Sequence, residues 1–202
     1  MWNIVPNRIK EALANINQIT FEVTESCNLN CKYCAYGDLY SQKEKRSNRN
    51  LEYDKAIILI NYLKQCMDSS LNKSFGKSIY ISFYGGEPLL NIKLIDDIIK
   101  FTKGIENEKY FFKYNMTTNG LLILKYIDFL IKNKIHLLVS LDGDKICNQY
   151  RVFKNGKESF DVVLNNAKFI KDKYPDYFNE YVEFNAVLHN KNSVSKIHDF
   201  FL

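Results

Sequence analysis

Cys27, Cys31 and Cys34 lie in one short run, Cys-Asn-Leu-Asn-Cys-Lys-Tyr-Cys, directly after an alternating apolar segment. Thiolates are soft ligands that suit zinc and iron–sulfur clusters. Three of them on one tight loop can hold three corners of a cubane [4Fe–4S] cluster, whereas four would close it for electron transfer. With three, one iron stays open to a small molecule, and an electron carrier becomes a possible catalyst. Zinc is the competing reading. It normally takes a fourth Cys or His at a matching spacing. Cys66 and Cys147 form no second close pair, and His136, His189 and His198 are dispersed. A zinc module, or a noncatalytic iron–sulfur module, would therefore need a distant ligand. Chance clustering is a weak explanation, because three of the five cysteines fall within eight positions. Tyr33, just before the last of the three, is placed to shield a cluster from water, or simply to pack as an aromatic.

Such a loop needs a scaffold, and the chain reads as alternating strands and helices. Apolar alternation or β-branched and aromatic runs predict strands at 19–23, 78–84, 111–117, 135–141 and 181–188. Helical spacing links Tyr53, Ile57, Ile60, Leu63 and Met67, and predicts further helices at 92–102 and 122–132. Ser159 reads as the N-cap of a fourth helix with Val163, Ala167 and Ile170 facing inward, and a fifth begins at Val194. Repeated strand–helix units imply parallel strands joined by right-handed crossovers, hence an α/β fold, either a doubly wound open sheet or a whole or partial (β/α) barrel. Both place their sites at the C-terminal ends of the strands.

The first four of those ends carry ligand-like motifs, the first being the cysteine run. After the second strand comes Gly85-Gly86-Glu87-Pro88, where glycines admit close backbone approach, Glu87 would oppose a cation, and Pro88 suits the first turn of a helix. After the third come Thr117, Thr118, Asn119 and Gly120, and after the fourth Ser140, Leu141, Asp142 and Gly143, followed by Arg151. Arg151 is a candidate carboxylate clamp, because a guanidinium binds carboxylates bidentately. Singly, each motif is also ordinary turn chemistry. Together they describe the mouth of a barrel.

The bulk properties agree with a globular enzyme. The 202 residues are 46% hydrophobic and 25% charged, with a net charge of +5 spread over helix faces. The densest basic stretch, Lys43, Lys45, Arg46 and Arg49, reads as a solvated loop rather than a nucleic-acid patch. The start has no apolar signal core and no run is long enough to span a membrane, and an odd, clustered cysteine count argues against a secreted disulfide scaffold. These features point to the reducing cytoplasm. Residues 1–18 read as an N-terminal extension and 19–202 as a core domain. Ending on Phe200, Phe201 and Leu202 early in a helix, that domain is expected to be truncated at its C-terminus.

From about residue 19 onward the chain resembles the radical S-adenosylmethionine (SAM, AdoMet) superfamily. Cys27, Cys31 and Cys34, the GGEP at 85–88, the TTNG at 117–120 and the SLDG at 140–143 carry the match. It resembles most the branch of anaerobic sulfatase maturases and SPASM-type peptide maturases, which modify ribosomally made peptides or proteins. The resemblance implies a partial (β/α)6 TIM-like barrel with five of six units present. It implies a [4Fe–4S] cluster on the three cysteines whose open iron is chelated by SAM. Gly85, Gly86 and Glu87 would contact the methionine amino group, Ser140 and Arg151 the ribose or carboxylate. Asn119 and Gly120 would line the pocket, and Val187 and Leu188 would flank the adenine. The implied reaction is reductive cleavage of SAM to a 5′-deoxyadenosyl radical that abstracts hydrogen from a peptide or protein, or in an alternative from a small molecule. The implied partners are that substrate and an electron donor such as flavodoxin or ferredoxin, with no nucleic acid and no membrane. Two departures stand out. The family's usual proline after SLDG and its His-Asp pair before the arginine are replaced by Asp144, Cys147 and Asn148, and these 202 residues do not include its cysteine-rich C-terminal domain, as expected of a truncated chain or of a variant built without it.

Overall fold

The structure is a computed structural model that describes residues 5–36 and 47–202. Most of the basic loop, including Lys43, Lys45 and Arg46, lies outside the described residues, while Arg49 pairs with Glu25 at 2.9 Å. Strands β1 (Gln18–Thr24), β2 (Lys77–Gly85), β3 (Tyr110–Thr118), β4 (His136–Ser140) and β5 (Val182–Asn185) form one sheet in the order β1-β2-β3-β4-β5. Every neighbouring pair is parallel. This order decides between the two expected architectures. A doubly wound sheet reverses its strand order at a switch point. Here each crossover steps the same way, so right-handed connections place the helices on one face, as in a partial barrel.

The sequence pattern explains that face. Ile19, Phe21 and Val23 of β1, Ile79, Ile81 and Phe83 of β2, and Phe112, Tyr114 and Met116 of β3 point into one apolar core. The core is closed by Ala56, Ile60, Leu63 and Met67 of α2 (Tyr53–Asp68) and Ile95, Ile98 and Ile99 of α3 (Ile92–Lys103). The alternate residues, among them Thr20 and Glu22, Tyr84 and Glu183, line the open inner face and stay exposed. An apolar/polar alternation in parallel strands is thus the signature of a barrel wall with a wet interior, not of a sheet covered on both sides.

Several expectations are corrected. The segment before residue 19 carries α1 (Pro6–Ala14), started by a first-turn proline, with Ala14 buried and Asn15 Nδ2 donating to the Leu71 carbonyl at 3.0 Å. The third predicted helix divides into a 3₁₀ turn, Leu124–Tyr126, and a short α4 (Ile127–Lys132). Ser159 is the N-cap residue of α5 (Phe160–Lys173) as expected, but its hydroxyl makes no cap bond and donates instead to the Arg151 carbonyl at 2.7 Å. The fifth strand is shorter than 181–188. Tyr181 ends a helix begun by Pro175, α6 (Pro175–Tyr181), and Val187 and Leu188 lie past the strand. The chain closes on α7 (Val194–Phe201). Among the described residues no helix is long and apolar enough to cross a membrane.

At the end of the barrel away from the strand termini, Asp68 accepts hydrogen bonds from Tyr110 Oη at 2.9 Å, Lys64 Nζ at 2.5 Å and Asn107 Nδ2 at 3.3 Å. Partial burial pushes its carboxyl up, but these donors outweigh it and the net shift is downward from 3.8. A depressed folded-state carboxyl stabilises the protein above its ordinary value, and that contribution is lost as pH falls through the lower folded value. Asp68→Asn should therefore lower the urea midpoint at pH 7, and the difference from wild type should shrink below pH 3.8.

Candidate functional site

The cysteine loop leaves β1 at Thr24 and is fastened to the end of β2 through the backbone. Gly86 N donates to the Thr24 carbonyl and Glu87 N to the Ser26 carbonyl, each at 2.8 Å. Gly85 makes this possible. Its φ is +140°, and a Cβ there would sit 2.2 Å from the Thr24 carbonyl oxygen. Gly85 thus serves a close approach of two chain segments.

The Glu87 side chain is fully buried and turned toward β3. One oxygen accepts from Thr118 Oγ1 at 2.8 Å and Leu89 N at 3.2 Å, and the other from Asn119 N at 2.8 Å. Burial pushes the carboxyl up, against the pull of these three donors. Glu87 ties the β2 and β3 ends together. Asn119, so held, reaches the cysteine loop: its Nδ2 donates to Asn28 Oδ1 at 2.7 Å and lies 3.8 Å from Cys27 Sγ. Gly120, at φ +83°, faces Val163 of α5 and Val139, and a Cβ there would meet Val163 Cγ1 at 2.8 Å. It therefore serves helix packing.

The other side of the loop is held by a segment that local sequence patterns do not reveal. Asn30 N donates to the Val152 carbonyl at 2.8 Å and Lys32 N to the Tyr150 carbonyl at 3.0 Å, with an antiparallel bridge between Leu29 and Phe153. This register sets Cys31 opposite Arg151. The segment is built from the residues that depart from the family pattern. Asp144 Oδ1 accepts from Cys147 N at 2.8 Å, Asn148 Oδ1 accepts from Asp142 N at 3.1 Å, and Arg151 N donates to the Asn148 carbonyl at 2.9 Å.

Asp142, which read as part of an ordinary Asp-Gly turn, gathers several segments at the site. It is fully buried. Its Oδ2 accepts from Tyr33 Oη at 2.5 Å, and its Oδ1 accepts from Val187 N at 3.0 Å. Arg151 Nε stands 3.2 Å from Oδ1, an ion-pair distance at which the N–H is not aligned for a hydrogen bond, so that buried nitrogen has no hydrogen-bond partner. The guanidinium also lies 5.5 Å from the centre of the Tyr33 ring. Tyr33 stacks on His189 as well, with 5.8 Å between ring centres. The phenol is thus wedged between the cysteine loop and the β4 and β5 ends, and burial foremost pushes its ionisation up. Ser140 is buried beside its register partner Asn185, whose Oδ1 is a second buried polar atom without a partner. Val187 and Leu188 are exposed just beyond β5.

Cys27, Cys31 and Cys34 are all half-buried. Burial pushes Cys31 up to about 11; the Arg151 guanidinium opposes this and the neighbouring Cys27 and Cys34 reinforce it. A thiol so disfavoured as a lone thiolate suits a cationic centre that would neutralise it. Among the described residues no three His, Cys, Asp or Glu are gathered closely enough to share one metal ion. A cubane asks for something else, since each thiolate takes a separate iron. The donor set therefore fits a [4Fe–4S] cluster better than a zinc ion, and the orphaned polar atoms of Arg151 and Asn185 fit a polar ligand beside it. Cys66 sits in the last turn of α2, the turn that continues to Asp68 and its bond with Tyr110 at the start of β3, hence at the opposite end of the barrel. Cys147 is packed behind Gly143.

An in-order parallel half-barrel with a three-thiol loop clasped by three strand ends defines a class of iron–sulfur barrel proteins. The chain belongs to the Radical SAM superfamily, whose profile matches residues 21–201. Its cofactors are a [4Fe–4S] cluster and SAM. The radical SAM cyclopropyl synthase TigE of Paramaledivibacter caminithermalis is 31% identical over 188 residues, covering 90% of this chain and 37% of the synthase. The cysteine-type anaerobic sulfatase-maturating enzyme of Clostridium novyi is 28% identical over 196 residues, covering 94% of this chain and 48% of the enzyme. The solved structure of native anSMEcpe with bound AdoMet matches with a TM-score of 0.72 at 23% identity, over 92% of this chain and 48% of that one. The chain thus spans between about a third and a half of the length of these relatives.

Proposed function

We propose that this chain is the radical SAM core of an oxidoreductase that modifies a peptide or protein, in the manner of sulfatase or peptide maturation. One observation carries the reading: a loop with three thiols is docked onto the ends of β2, β3 and β4, and Asn119 and Arg151 lean onto it from two sides. Cys27, Cys31 and Cys34 hold the cluster. Asn119, Ser140, Arg151 and the backbone of Gly85 and Gly86 border the SAM pocket, with Tyr33 closing it toward β4. Val187 and Leu188 flank its outer rim. Glu87 positions Asn119. When bound, the cluster and SAM supply one-electron chemistry for removing a hydrogen atom from a substrate carbon.

The chain's own contribution is to orient and to exclude water. The inner face beside the cysteine loop presents Glu22 and Tyr84 as register neighbours. Hydrogen-bonding side chains on an extended wall suit a peptide, whose backbone offers donors and acceptors along its length. The names of the relatives support the same class: one is a sulfatase-maturating enzyme. A cytoplasmic setting and a flavodoxin- or ferredoxin-type electron donor complete the proposal.

The test is isotope transfer. The reconstituted, reduced protein is given SAM and a cysteine peptide carrying deuterium at the cysteine β-carbon. Deuterium in the 5′-deoxyadenosine formed supports a peptide substrate of this type. SAM cleavage without transfer from this or other labelled peptides overturns the peptide reading in favour of a small molecule.

A further inference from the structure

We infer that Asp142 and Arg151 are an opposed pair of buried charges set against the cysteine loop, and that together they fix the reduction potential of the cluster bound there. The inference rests on the proposed cluster site and adds to it a role that neither residue has in binding SAM.

The geometry comes first. Residues 29–32 and 150–153 pair antiparallel, and the bonds Asn30 N to Val152 O and Lys32 N to Tyr150 O bracket Cys31 and Arg151 as opposite residues. Side chains of directly opposed residues share a face. The guanidinium is therefore delivered to the Cys31 side of the loop, over the Tyr33 ring at 5.5 Å. Its partner Asp142 is fully buried, 3.2 Å from Nε, and bonded to the Tyr33 hydroxyl of the same loop. The remaining polar groups facing the pair are accounted for. Val187 N donates to Asp142 Oδ1 at 3.0 Å, and Asn148 Oδ1 accepts from Asp142 N. His189 Nε2 stands 3.9 Å from Asp142 Oδ2 and donates to the Cys147 carbonyl at 2.9 Å. No other charged side chain is paired with Asp142 or Arg151 among the described residues.

The consequence follows from electrostatics. Reducing the cluster adds one electron to the loop's neighbourhood. A nearby positive charge favours the reduced form and a negative charge opposes it, and burial removes the solvent screening that would blunt either effect. Arg151 thus raises the potential, and Asp142 both lowers it and holds Arg151 in register. A merely structural pair would not produce shifts of opposite sign.

The experiment is an anaerobic redox titration of the reconstituted chain without SAM, followed by EPR of the reduced cluster. Omitting SAM separates this role from SAM binding. Asp142→Asn should move the midpoint to higher potential and Arg151→Met to lower potential, with the double variant between them. Arg151→Lys keeps the charge and should restore most of the Arg151→Met shift. Shifts of the same sign, or no shift in either single variant, overturn the inference. If Asp142→Asn takes up no cluster, the comparison of Arg151→Met with Arg151→Lys decides alone, and equal shifts in those two overturn it. A wild-type protein that takes up no cluster instead refutes the proposed function itself.

Discussion

Cys31→Ala should abolish iron and sulfide uptake at the cysteine loop, and with it formation of 5′-deoxyadenosine above a protein-free background. The reason is the lack of a substitute. Cys27 and Cys34 alone offer two corners, Cys66 lies at the other end of the barrel, and Cys147 is packed behind Gly143. The fold should survive, because Cys31 is a half-buried loop residue outside the apolar core. Its urea stability should stay within about 1 kcal/mol of the apo wild type. Iron analysis, the brown visible absorption of the reconstituted protein and product chromatography check this together. Full iron uptake by the variant would show that the cluster is held elsewhere.

Gly85→Ala should be the most damaging substitution outside the thiols. The new Cβ would stand 2.2 Å from the Thr24 carbonyl oxygen, at a φ of +140°. That oxygen is backbone, and it also accepts the Gly86 N–H, so no rotamer change relieves the contact. The ends of β1 and β2 must part, and the cysteine loop moves with them. Backbone strain of about 1–3 kcal/mol and overpacking of similar size add to roughly 2–6 kcal/mol, a large share of the total stability of a domain. Gly156→Ala is the control. Gly156 also has a positive φ, +81°, but nothing lies within 4 Å of its would-be Cβ, so it should cost only about 1 kcal/mol. Urea melts of the two variants decide. Equal losses would mean that the close approach at Gly85 does not hold the loop.

The residues differ in how much of this was legible beforehand. The cysteine spacing is local chemistry, so the ligand loop could be read directly. So could the strand–helix alternation, because each strand carries its own apolar face. The partners of Glu87 could not be read. Its residue type suits a ligand contact, and its bonds to Thr118 and the Asn119 N–H, about thirty positions on, have no local sign. Asp142 looked like a turn residue because its partners Tyr33, Arg151 and Val187 come from three other segments. The pairing of 29–32 with 150–153 is equally nonlocal. The two helices that went unread, α1 and α6, did have a local sign in the prolines of their first turns.

The central claim is a three-cysteine cluster whose fourth iron binds SAM. The most direct measurement is EPR of the anaerobically reconstituted, reduced protein before and after addition of SAM. The account predicts a [4Fe–4S] signal that changes when SAM is added, and that is missing in Cys31→Ala. A signal indifferent to SAM, or stoichiometric zinc with no cluster signal, would contradict it.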